Sequence, residues 1–135
     1  MTQEITAAQA TVENAADQYI NTLALDTIEG KKATVNAINN AVSLKDYSEV
    51  PLTLTGIITT PGSRKGRSGL PDVPCQNTYL ICDDGKAYFS QSDGIARSAN
   101  MIARFFADVL ADGVAVKVAE TKLDNGNTLK SIEVI

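Results

Sequence analysis

Apolar residues recur at helical spacing through the first part of the chain, at Ile5, Ala8, Val12, Ala15, Tyr19 and Leu23. That period predicts an amphipathic helix. A second helix follows, or one longer helix with an interruption. Asp26 and Glu29 read as a capping box at its start, and Ile28, Val35, Ile38 and Val42 form its stripe. Gly30 weakens that start by about 1 kcal/mol relative to alanine. Residues 1–43 hold no proline and one glycine, and residues 44–50 read as a short linker.

After Pro51 the period drops from about 3.6 to 2. Leu52, Leu54, Gly56 and Ile58 alternate with Thr53, Thr55, Ile57 and Thr59, which predicts a half-buried strand. Pro61, Gly62, Gly66, Gly69, Pro71 and Pro74 predict a long loop over 61–76. Strands are expected from Thr78 to Cys82 and from Lys86 to Gln91, joined by a tight turn at Asp83-Asp84-Gly85. A helix capped by Ser92 or Asp93 then buries Ile95, Ala99, Ile102, Phe106 and Val109, and Gly113 ends it. Val114, Val116 and Val118 open a fourth strand. Asp124-Asn125-Gly126-Asn127 turns into a fifth, Leu129 to Ile135.

The order β-β-β-α-β-β over residues 51–135 is that of the OB-fold, a five-stranded Greek-key barrel. The chain thus divides into an N-terminal helical segment with its linker, 1–50, and an OB-fold domain, 51–135. In such a barrel the ligand lies on the face of strands two and three, framed by the 1–2 and 4–5 loops.

Composition narrows the chemistry. There is no histidine among the 135 residues, which excludes a Ser-His-Asp triad, a Cys-His pair and imidazole acid–base catalysis. Cys75 and Cys82 are too few for a structural zinc or iron–sulfur site and too far apart for a redox C-x-x-C, so reduced thiols are expected. The start, Met1-Thr2-Gln3-Glu4, does not read as a signal peptide, and no apolar run suggests a membrane span. The expected compartment is the cytoplasm.

The net charge is −4, but it is unevenly spread: residues 1–50 carry three bases and seven acids, residues 51–135 nine of each. Positions 51–71 hold Arg64, Lys65 and Arg67 and no acid, in the glycine-rich stretch TPGSRKGRSG. Gly62 and Gly66 stand one residue too close for a phosphate-cradling P-loop, and Arg67 replaces its lysine. The stretch reads instead as a basic arm able to contact phosphates without regard to sequence.

Aromatic residues add a second element. Tyr79, Tyr88 and Phe89 lie on strands two and three, and an exposed ring can stack any base for about 1–3 kcal/mol. Tyr88 and Phe89 are neighbours and point to opposite faces. Phe89 is expected in the core, leaving Tyr88 with Tyr79 as stacking candidates. Lys117 on strand four and Lys122 beside the 4–5 hairpin would line the far side of the groove. Arg97, near a helix start where a cation is disfavoured, asks for an anionic partner, either an acid or a phosphate.

Two segments, GSRKGRSGLPDVPCQNTYLIC from Gly62 to Cys82 and YFSQSDGIARS from Tyr88 to Ser98, resemble small single-stranded-DNA-binding proteins of bacteriophages and bacterial mobile elements. The resemblance covers about residues 51–135 and implies an OB-fold that coats single-stranded DNA in replication, recombination or transfer. Cellular bacterial binders of this kind end in an acidic partner-recruiting tail, whereas the last residues here, Ser131 to Ile135, read as a strand.

The resulting expectation is a non-enzymatic binder of single-stranded DNA, with RNA as a further candidate ligand. Arg64, Lys65, Arg67, Lys117 and Lys122 would meet phosphates, and Tyr79 and Tyr88 bases. No cofactor and no metal is assigned. Residues 1–43 would pack on the barrel or on a neighbouring subunit and support side-by-side assembly. The alternatives are a protein–protein adaptor and a metal-dependent nuclease using Asp83, Asp84 or Asp93.

Overall fold

The computed structural model describes residues 20–66 and 68–135. The elements are β1 (Ile20–Asn21), α1 (Ile28–Asn40), β2 (Val42–Ser43), β3 (Leu52–Arg64), β4 (Val73–Cys82), β5 (Ala87–Ser90), α2 (Asp93–Phe105), β6 (Val114–Lys122) and β7 (Thr128–Val134). Single 3-10 turns lie at Leu44–Tyr47 and Leu110–Asp112. The architecture is mainly β with two helices, in one curled sheet of order β2-β5-β4-β3-β6-β7, with β1 beside β3.

The curl begins in β3. Its first residues pair with β6, Leu52 opposite Val116 and Leu54 opposite Val114. The register to β4 then slips between Leu54 and Gly56, and beyond that point β1 takes the edge that β6 leaves. Gly56 permits the crowding, since a Cβ there would come within 2.9 Å of Leu23 Cδ2. The rolled sheet encloses Leu54, Ile57, Leu80 and Val116, and α2 plugs it with Ile95, Ala99 and Ile102.

The structure is a half-barrel, not the closed five-stranded barrel expected. Among the described residues β5 and β7 do not pair. The stretch read as a linker bridges the seam. Val42 and Ser43 run parallel to Tyr88 and Phe89, Leu44 enters the core, and Ser48 bridges Val118. The Glu49 N–H then donates to the Val118 carbonyl at 2.8 Å. Residues 42–49 are therefore a strap that joins β5 to β6.

Other expectations shift as well. Most of the first predicted helix lies outside the described residues, and its end, Ile20–Asn21, is strand. Thr27 caps α1, its hydroxyl oxygen accepting from the Gly30 N–H at 3.0 Å, so Asp26 is not the cap. The stripe Ile28, Val35, Ile38 and Val42 faces solvent; α1 meets the sheet through the crevice that Ala33 and Ala37 share with Ile81 and Ala87. The helix α2 ends at Phe105 rather than near Gly113, and Val109 is exposed.

The loop expected over 61–76 is shorter, because β3 runs on to Arg64 and β4 begins at Val73. Pro61 and Pro74 fit because this end is a two-stranded ribbon. Among the described residues no further strand pairs with its outer edges at Pro61 or Pro74, and such an edge is where a strand tolerates a missing N–H. No described helix is long and apolar enough to cross a membrane.

Candidate functional site

Beside the strap the seam opens into a cleft of about 350 Å3. The strap contributes Lys45, the end of β3 Arg64, β5 Phe89, and β6 and β7 Glu120 and Lys130. Three cations thus face one carboxylate, and a ring stands at the wall.

Arg64 is positioned from two directions. Its Nη2 donates to the Gln91 carbonyl at 3.2 Å and pairs with Asp93 Oδ1 at 3.2 Å. The Gln91 amide in turn donates to the Ser63 carbonyl at 3.3 Å and to Asn77 Oδ1 at 3.0 Å. These bonds hold the ribbon against the start of α2, where Ser92 Oγ accepts from the Ile95 N–H at 3.4 Å. Lys65 is exposed at the mouth of the β3–β4 loop. Arg67 lies outside the described residues.

The aromatic assignment is reversed at one pair. Tyr88, expected outside, is only 3% exposed and belongs to the core. Its ring meets Tyr47 edge-on at 4.7 Å, and its hydroxyl donates to Asp84 Oδ2 at 3.1 Å. That bond allows a phenol to be buried without an orphaned hydroxyl. Burial, aided by the Asp84 hydrogen bond, pushes the Tyr88 phenol up to about 12. Phe89, expected in the core, is instead half-buried on the opposite side of β5. Tyr79 faces it across the β4–β5 ladder with ring centroids 5.3 Å apart. Tyr79 itself is 8% exposed, so it backs Phe89 rather than presenting a free face.

The far-side lysines do not converge on the cleft. Lys117 is held by Glu49 at 3.1 Å, with Glu133 at 4.0 Å. The hydrogen bond to Glu49 raises its pKa above the ordinary lysine value. Lys122 is exposed at the end of β6 and does not line the cleft.

The three candidate carboxylates have other occupations or separate places. Asp84 accepts from the Lys86 N–H at 2.9 Å and from Tyr88, and Asp93 pairs with Arg64. Among the described residues no three acidic or cysteine side chains gather as metal ligands would. Both cysteines are free thiols. Cys82 is buried, and that burial, with Asp84 and Asp83 nearby, pushes its thiol up to about 12.

Sequence reasoning missed Lys45, Lys130 and Phe89 as cleft residues. For Phe89 the signal was present: Tyr88 stands four residues from Asp84, within reach of a capped turn. For Lys45 there was none, because the strap has no periodic pattern. Comparison of the chain with protein-family models, with curated proteins and with solved structures finds no match.

Proposed function

We propose that this chain is a non-enzymatic, sequence-tolerant binder of single-stranded DNA, built on an OB-like half-barrel whose seam its own strap bridges. One observation carries the reading: Arg64, Lys45 and Lys130 share a single cleft with Phe89. Guanidinium and ammonium groups meet phosphates regardless of sequence, and a ring meets any base by its π face. Cations and a ring in one cleft suit a flexible strand whose bases are turned out, and suit a stacked duplex less well. The resemblance of Gly62–Cys82 and Tyr88–Ser98 to phage and mobile-element binders points the same way.

The test is fluorescence anisotropy with matched single-stranded DNA, duplex DNA and RNA across a salt series. The single strand should bind best. Its log affinity should fall by about 0.7 per contacted phosphate for each log unit of salt. Replacing Arg64, Lys45 and Lys130 together by alanine should weaken all sequences about equally. An affinity indifferent to salt, or equal preference for duplex, would overturn the reading.

A further inference from the structure

A second cleft, of about 370 Å3, lies on the other side of the start of α2. Its walls are the beginning of β4, at Pro74 to Gln76, and the α2 residues Asp93, Arg97 and Asn100. The two clefts are separated by an ion pair. Arg64 lines the seam cleft and Asp93 the second one, and their side chains meet at 3.2 Å between them. Both partners are exposed, at 44% and 75% of their side-chain surface, and neither belongs to the core, so the pair can open without unpacking it.

Arg97 is the charge left over. It is exposed, close to the positive end of α2, and among the described residues it has no ion pair. The carboxylate one turn earlier, Asp93, stands at the spacing that would serve it, yet that carboxylate bonds Arg64 instead. An anion entering the second cleft would meet this guanidinium one turn into α2.

We propose that the two clefts form one track for a continuous single strand, that Arg97 is its far phosphate contact, and that the Arg64–Asp93 pair is the gate the strand opens. This rests on the single-strand reading above. Asp93 occupies Arg64 until a phosphate displaces it. The strand then passes over the start of α2, from Lys45 and Lys130 on one side to Arg97 on the other.

The test compares a short oligothymidylate, about four nucleotides, with a longer one of about twelve, the range a single small barrel spans. With the longer strand, Arg97→Ala should lower the slope of log affinity against log salt by about 0.7, one phosphate's worth. Asp93→Asn should tighten the longer strand roughly two- to fivefold, the scale of one exposed ion pair. That gain should vanish when Arg64→Ala is added. Asp93→Ser, which also suits a helix start, serves if the asparagine variant folds poorly. An Arg97→Ala protein with unchanged slope and affinity, or Asp93 variants that bind like the parent, would overturn the gated track while leaving single-strand binding intact. Failure of the parent protein to bind either oligonucleotide would remove both.

Discussion

Lys117 Nζ lies 3.1 Å from Glu49 Oε1 and 4.0 Å from Glu133 Oε1, so one ammonium ties the strap to the strands it crosses. Glu49 is the one described non-glycine residue with positive φ, at 64°. The backbone accepts that strain, of about 1–2 kcal/mol for an L-residue, where its N–H reaches Val118 and its carboxylate reaches Lys117. Lys117 thus serves the fold. Lys117→Ala should lower the thermal midpoint slightly, more at low salt than at high salt, and leave oligonucleotide affinity unchanged. Differential scanning calorimetry and anisotropy on the same preparation check both halves.

Tyr88 and Phe89 are adjacent in sequence but should separate stability from binding. Tyr88→Ala empties a core site and should cost about 3–5 kcal/mol in denaturant unfolding. Tyr88→Phe removes only the bond to Asp84 and should cost about 1 kcal/mol. Phe89→Ala should destabilise much less than Tyr88→Ala. It should weaken single-strand binding by about 1–3 kcal/mol, the worth of one stacked base. Equal losses of stability for the two alanine variants would contradict the assignment of faces.

Local chemistry was legible in the sequence. Gly85 and Gly126 take positive φ at the two predicted hairpin turns, Ser92 caps α2, and β6 and β7 fall where alternation placed them. Pairing between distant residues was not legible. Val42 meets Tyr88 in a parallel register that no local pattern announces. Pro61 and Pro74 read as part of a long loop, whereas both lie in the two-stranded ribbon of β3 and β4, which has no further strand beside it at those positions among the described residues. Ranking Phe89 above Tyr88 for the core weighed hydrophobicity alone and ignored the acceptor that Asp84 supplies. Of the residues assigned to the site, Arg64 lies in the cleft, Tyr79 supports it from behind, and Tyr88 and Lys117 have structural roles.

Gly94 fixes how closely α2 approaches β7. A Cβ at this position would stand 1.9 Å from the Lys130 carbonyl oxygen, a backbone atom that cannot turn aside. Gly94→Ala would improve helix propensity by about 1 kcal/mol in isolation. The clash should outweigh that gain, with a net loss of about 1–3 kcal/mol, the usual cost of overpacking. Because Lys130 lines the cleft, the shift should also weaken single-strand binding. Urea unfolding and anisotropy measure the two effects.

Alkali should unfold this protein earlier than neutral solution suggests. Three groups act in one direction. The Cys82 thiol and the Tyr88 phenol each titrate near 12 in the folded chain, and Lys117 holds its proton above the ordinary lysine value. In the unfolded chain the thiol ionises at about 8.5 and the phenol at about 10. The folded state therefore binds more protons than the unfolded state across that window, and stability must fall as pH rises. The contribution is complete below the unfolded values and is lost as pH climbs from about 8.5 through 12. Urea midpoints should be level up to about pH 8 and decline beyond it. Cys82→Ala should remove the earliest part of the decline, and Tyr88→Phe the part above about pH 10. Midpoints that stay level to pH 11 in the parent chain, or a decline untouched by both substitutions, would show that these buried groups do not set the alkaline limit.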